Sequence, residues 1–257
     1  MQLRNRSLSV DLTGPPITKG SFLIAVDLDD VLLGTNEAAA AWHNREYGTR
    51  MTLQDFLYYH WWRNRFWGSP RETVEKVYQF YKSDSFKDAP PIRDAYKCLK
   101  KLQGMGCTFV VITARGDDMK ESTKAAVEQH FPGIFQGIDH TLAVKSSDPN
   151  VRPTKRDRLP QLGAKMLIDD HLDTAVDCAT GGIPSLLFGE YEWNKRVSPP
   201  QEDRLSFAEM ETEAGAETGW WHKDDVPDSN LPPMVQRVTG WPDVVRAVRQ
   251  HLQKSQA

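Results

Sequence analysis

Cysteine is scarce in this chain, three in 257 residues, too few for a disulfide framework. Cys98, Cys107 and Cys178 lie in apolar or helical contexts and read as free thiols in a reducing compartment. A charge surplus is also missing. The formal net charge of −3 excludes broad electrostatic attraction to a nucleic acid polymer or an anionic membrane, so any phosphate must be held by a local site. No apolar run approaches the roughly 18 residues that span a bilayer. Residues 1–20 mix Arg, Ser, Thr and Pro without an apolar stretch, which predicts a disordered segment rather than a signal peptide. Internal repeats are absent. The expectation is a cytoplasmic protein with no membrane contact. What is present is globular: 39% hydrophobic and 26% charged residues, enough for one sizeable core and a smaller satellite domain.

Order is expected to begin at Phe22. Residues 22–26, 107–112, 165–168 and 183–188 are continuous apolar runs, as strands buried on both faces require. A short strand is expected over 138–144 and an edge strand over 234–238. Between them lie helical signals. Asn36 reads as an N-cap, with Gly48 as the stop. A helix is expected from Thr52 through the aromatic stretch ending at Trp62. Ser69, Pro70 and Glu72 spell a capping box, and Val74, Val77, Tyr78 and Tyr81 then share one face. Further helices are expected over 92–102, 117–130, from Thr154 to Leu162, and from Trp241 onward. The alternation predicts an α/β fold with a Rossmann-like, doubly wound parallel sheet. Its domains are a core over 21–34 and 89–195 and a small helical unit inserted over 35–88. An acidic, Pro-rich insertion without periodicity follows over 196–233, expected to be mobile or partner-docking. A strand and helix of the core close the chain over 234–257.

Three strands end in polar residues: Asp27 with Asp29, Thr113, and Asp169 with Asp170. Ligands of an open parallel sheet bind outside the carboxyl ends of its strands, so these groups should converge. Clustered carboxylates repel one another unless a cation neutralises them. Oxygen-only donors suit a hard ion, and Mg²⁺ fits best because it uses few carboxylates plus water and phosphate. An anionic carboxylate can then attack a phosphoryl group, making Asp27 a nucleophile that forms an aspartyl-phosphate. Asp29 can protonate the leaving oxygen and later take a proton from the hydrolytic water.

The segment D-L-D-D-V-L at 27–32, with V-V-I-T-A-R at 110–115 and L-I-D-D at 167–170, resembles three motifs of haloacid dehalogenase-like (HAD) phosphatases. The resemblance covers the core from about residue 22 to 190 and places residues 35–88 as a C1-type cap. It implies Thr113 as the phosphate-binding hydroxyl, with Ala114 and Arg115 beside the substrate. It implies metal binding by Asp27, by the Asp29 carbonyl and by Asp169, supported by Asp170. It also implies a phosphate-binding lysine, for which Lys155, at the head of the helix before the acidic strand, is the better candidate and Lys145 the second. Stretches 112–115, 162–170 and 187–194 look most like the 5'-nucleotidase and deoxyribonucleotidase branch, which makes a nucleoside monophosphate the favoured phosphate ester.

Duller roles stand beside these. Tyr58, Trp61, Trp62 and Trp67 could stack on a nucleobase but suit the small core of the inserted unit better. Arg63, Arg65 and Arg71 fit surface charges, Asp30 and Asp173 capping or surface roles, and His171 either a positioning role or none. A regulatory or scaffolding HAD-fold protein that docks through 196–233 is the competing class; intact Asp27 and Asp29 count against it. A phosphotransferase or phosphonatase is weaker, because the inserted unit offers only Lys76, Lys82 and Lys87 for a Schiff base. A dehalogenase needs neither the metal nor the second aspartate. Nothing in the sequence sets the oligomeric state.

Overall fold

The computed structural model describes residues 10–12, 14–15, 20–141, 153–198 and 204–254. The strands are β1 (Val10–Asp11), β2 (Phe22–Val26), β3 (Cys107–Thr113), β4 (Phe135–His140), β5 (Met166–Asp169), β6 (Ser185–Phe188) and β7 (Val235–Val238). They form one sheet in the order β1-β4-β3-β2-β5-β6-β7. All pairs from β4 to β7 are parallel, and only β1 is antiparallel to its neighbour. The helices are α1 (Thr35–Tyr47), α2 (Pro70–Lys82), α3 (Asp84–Lys87), α4 (Ala95–Gln103), α5 (Lys120–His130), α6 (Lys155–Leu162), α7 (Leu172–Thr180), α8 (Phe207–Ala214) and α9 (Trp241–Lys254).

Every residue of β3, β5 and β6 is buried, which is why these strands read as unbroken apolar runs rather than alternating ones. The chain leaves β2 toward β3 and β4, then returns to lay β5, β6 and β7 on the other side. The winding therefore reverses between β2 and β5, where Val26 is in register with Ile168. Such a switch point opens a crevice at the carboxyl ends of the strands, and Asp27 and Asp169 stand on its two lips. α9 closes the core through buried Val244, Val245 and Val248, and the buried Trp241 indole donates to the Val31 carbonyl at 2.9 Å. Among the described residues no helix is long and apolar enough to cross a membrane.

The inserted unit leaves and rejoins the core at one doorway. Gly34 N–H donates to Pro90 O, and Ile92 N–H to Leu32 O, both at 2.8 Å. Within it, α2 starts with the Ser69/Glu72 capping box. The Val74, Tyr78 and Tyr81 stripe, however, is exposed; Thr73 and Phe80 are the buried residues of α2. The expected helix from Thr52 to Trp62 is absent, and residues 53–55 and 61–63 form two 3₁₀ turns instead. The Asn64 side chain is the reason: it bonds the Tyr58 N–H and the Tyr58 and His60 carbonyls, giving the backbone partners that a helix would otherwise supply.

Other expectations are corrected as well. Order begins before Phe22, because β1 pairs Val10 with Ile138. α1 begins at Thr35, and the Asn36 N–H donates to the Asp30 carboxylate at 2.9 Å rather than Asn36 acting as a cap. β4 ends at His140; residues 142–152, Lys145 among them, lie outside the described residues. The described part of the insertion is built rather than irregular. α8 begins at the Ser206/Glu209 capping box, and Phe207, Met210 and Trp220 pack with Leu57 and Tyr58 of the inserted unit. Buried Arg196 fastens the pieces: its guanidinium donates to the carbonyls of Leu57, Glu192 and Trp221 at 2.7–3.0 Å and pairs with Asp225 at 2.7 Å.

Candidate active site

Asp27 follows β2 directly, and its N–H donates to Ile168 O across the switch point. Its carboxylate meets the Lys155 ammonium at 2.7 Å, and the same nitrogen lies 2.7 Å from Asp169 Oδ2. Lys155 reaches the site because it opens α6, whose Thr154/Asp157 capping box fixes where the helix starts. A bidentate pair between Arg158 on α6 and fully buried Asp139 on β4, at 2.8 Å for both contacts, anchors that helix to the sheet. Asp169 also accepts the His171 N–H at 3.0 Å, and Asp170 accepts the Trp193 indole N–H at 2.7 Å.

Asp27, Asp169 and Asp170 each present an oxygen such that all three lie within 4.8 Å of one another. One lysine does not balance three buried carboxylates. Burial, above all, and then the neighbouring carboxylates against the opposing pull of Lys155, push Asp27 up to about 6. Burial, and then the charges of Asp27, Asp169 and Asp30, drive Asp170 well above its ordinary value. Lys155 moves the other way: burial opposes its charge, but Asp169 and Asp27 outweigh that and raise its pKa. An all-oxygen set with surplus negative charge in a buried crevice has the chemistry that holds a hard divalent cation.

The turn after the strand is held from several sides. Asp30 takes a left-handed conformation, φ 58°, which Asp tolerates better than most residues. Its carbonyl accepts the Tyr191 hydroxyl at 2.8 Å. Tyr191 stacks on Trp193, with ring centroids 4.1 Å apart. Gly189 makes room for this: a Cβ there would lie 2.3 Å from the Tyr191 ring.

Asp29 stands apart from the three-carboxylate group. Arg115 clasps it with Nη2 at 2.6 Å and Nε at 3.1 Å, and the Thr35 hydroxyl donates to the same carboxylate. Burial raises Asp29, but the Arg115 charge and these hydrogen bonds outweigh it and hold the carboxyl below its ordinary value. Thr113 is buried at the end of β3, and its hydroxyl accepts the Arg115 N–H at 3.2 Å. Ala114 is exposed beside it.

The inserted unit overlies this crevice. Its Tyr59 stacks on His171 at 3.7 Å between ring centroids, and its Phe86 ring lies under the Arg115 guanidinium at 4.4 Å. Tyr58 and Trp67 are buried, and Trp61 packs against the core. Arg63 and Arg65 face α8, contacting Met210 and Glu211, and Arg71 pairs with Glu75 on the surface.

Of the residues expected from the sequence, the structure brings Asp27, Asp169, Asp170 and Lys155 together, while Asp29 and Thr113 meet Arg115 instead. Sequence reasoning missed Trp193, Tyr191, Thr35 and the Asp139–Arg158 anchor. The likeness of 187–194 to nucleotidases was the one available signal for the first two. Arg115, expected beside the substrate, has its guanidinium engaged by Asp29.

Residues 21–146 match the family model described as "5' nucleotidase, deoxy (Pyrimidine), cytosolic type C protein". No curated protein sequence matches the chain. Among solved structures, L-2-haloacid dehalogenase from Xanthobacter autotrophicus superposes with a TM-score of 0.52 at 16% identity, over 88% of this chain and 98% of that one. A haloacid dehalogenase-like protein of unknown function from Agrobacterium tumefaciens gives 0.52 at 15% identity, over 91% and 100% of the two chains. A predicted phosphatase from Clostridium acetobutylicum gives 0.50 at 14%, over 90% and 99%. At these identities the structural likeness is one of fold.

Proposed function

We propose that this chain is a Mg²⁺-dependent phosphoric monoester hydrolase of the haloacid dehalogenase-like superfamily, similar over residues 21–146 to the 5'-nucleotidase branch, which hydrolyses a small phosphate ester through an aspartyl-phosphate on Asp27. The observation that carries the reading is the switch-point cluster: Asp27 at the end of β2, bridged by Lys155 to Asp169, with an Asp170 oxygen within 4.8 Å of oxygens of both.

Asp27, Asp169, Asp170 and the Asp29 carbonyl would hold the Mg²⁺, which when bound supplies charge neutralisation for phosphoryl oxygens approaching buried carboxylates. The chain's own residues do the rest. Asp27 Oδ attacks phosphorus and the ester oxygen leaves in line. The Thr113 hydroxyl, the Ala114 amide and the Lys155 ammonium hold the transferring oxygens, and the ammonium also keeps Asp27 ionised. Asp29 gives a proton to the leaving oxygen, then takes one from the water that cleaves the aspartyl-phosphate. The Arg115 pairing keeps Asp29 ionised in the ligand-free chain; an incoming phosphate dianion raises its pKa and lets it carry the proton. Residues 35–88 act as the cap that excludes bulk water.

A nucleoside 5'-monophosphate is the favoured ester, on the likeness to the nucleotidase family. The test is phosphate release from a panel of monoesters, nucleotides included, with Mg²⁺ and with EDTA. Turnover that requires Mg²⁺ and is abolished in Asp27→Asn supports the reading. A folded wild-type chain that binds Mg²⁺ yet releases phosphate from none of the esters removes it, and leaves the regulatory HAD-fold reading.

A further inference from the structure

Asp29 and Arg115 are 86 residues apart, and Phe86 belongs to a third element, α3 of the inserted unit. The three meet in one stack. The Arg115 side chain is almost fully buried, 5% exposed. Two of its nitrogens face Asp29, a third faces the Thr123 hydroxyl at 3.4 Å, and one face of the guanidinium is covered by Phe86. Its backbone is fixed as well: the N–H donates to Thr113, and the carbonyl lies 3.0 Å from His140 Nδ1. Tyr81 packs on Phe86, ring centroids 4.8 Å apart. On the far side, the Thr35 hydroxyl holds Asp29 from the first residue of α1.

A guanidinium so engaged has little left for a substrate. What it can do is fix a planar partner, because its fork matches a carboxylate in two places at once. A cation over an aromatic face is in turn held flat.

Resting on the phosphatase reading above, we propose that Arg115 and Phe86 are positioning residues: the inserted unit, through Phe86, holds the Arg115 fork, and the fork aims the Asp29 carboxylate at the leaving oxygen. Of these three residues, only Asp29 touches the reacting atoms. The inserted unit therefore does more than exclude water; its seating sets the orientation of the general acid. The seating is itself secured by residues 204–233, through the Tyr58, Met210 and Trp220 contacts and Arg196.

The test compares first-turnover alcohol release from deoxyuridine 5'-monophosphate and p-nitrophenyl phosphate, with enzyme in excess and Mg²⁺ present. Wild type, Phe86→Leu, Arg115→Lys and the double variant are used. An alkoxide leaves poorly without a proton, whereas nitrophenolate needs none. Loss of an aimed general acid should therefore slow the nucleotide by about 10- to 100-fold in Phe86→Leu and Arg115→Lys, and the nitrophenyl ester by less than about threefold. Substrate concentration dependence should change little, and the double variant should be no worse than Arg115→Lys, since both act through one carboxylate. Equal loss on both esters, or weakened binding with an unchanged first-turnover rate, overturns the proposal; the second result would make Arg115 a substrate ligand. A wild type inactive on both esters removes the phosphatase reading instead. The relay has a readout that needs no turnover: in a crystal structure of Phe86→Leu, Asp29 should leave its present rotamer, and an unchanged Arg115–Asp29 pair overturns the relay.

Discussion

Replacing Asp27, the proposed nucleophile, should stabilise the metal-free protein. Asp27 is buried, 9% exposed, beside two further carboxylates, and its pKa is raised from 3.8 to about 6. Between those values the native chain binds a proton that the unfolded chain has released. Stability therefore falls as pH rises from about 4 to about 6. A shift of roughly two units corresponds to about 3 kcal/mol, an upper figure because denatured chains are compact and part of their surface is already buried. Asp27→Asn removes the charge, keeps the size, and leaves an amide oxygen for Lys155. In EDTA at pH 8 the variant should be more stable by about 1–3 kcal/mol, or roughly 2–12 °C in melting temperature for a chain of this size. At pH 5 the native carboxyl is largely protonated, and the advantage should shrink toward half. Saturating Mg²⁺ should stabilise wild type far more than the variant and close the gap. The assay is thermal unfolding followed by circular dichroism at the two pH values, with EDTA and with Mg²⁺. A variant that melts below wild type in EDTA at pH 8 would refute the charge accounting. So would an advantage that is the same at both pH values.

Trp193→Phe removes the indole N–H that orients Asp170, and Mg²⁺ affinity or turnover should fall about 10- to 100-fold with little change in melting; titration of activity against Mg²⁺ measures it. Arg158→Met leaves Asp139 buried without its partner. That should cost about 3–5 kcal/mol in urea unfolding, and adding Asp139→Leu should recover much of the loss.

The legible parts of the fold were those where one local rule was enough. β2, β3, β5 and β6 are buried on both faces, so their composition alone marked them, and the polar residue ending each site strand marked the crevice. α2 announced itself through its capping box and α6 through Thr154 as its cap, and through α6 so did Lys155. The illegible parts depend on contacts with no fixed spacing. Asn64 supplies by side chain what a helix would supply by backbone, and periodicity cannot register that. Residues 204–233 bury single anchors, Phe207, Met210 and Trp220, against a different part of the chain, so no repeat in their sequence reveals them. Arg115 stood beside a recognisable motif, but its partner was set by the meeting of β2 and β3. The shared face of α2 was legible but its exposure was not, because apolar spacing alone cannot show which face the core takes.

The most direct measurement is to trap the covalent intermediate. Wild type and Asp29→Asn would be quenched in acid during turnover of a phosphate monoester with Mg²⁺, reduced with borohydride, and mapped by peptide mass spectrometry. Reduction converts an aspartyl-phosphate to homoserine. The account predicts homoserine at position 27, enriched in Asp29→Asn because its hydrolysis step lacks the base, and none in EDTA. Sustained phosphate release with an unmodified Asp27, or with the label on another residue, would contradict it.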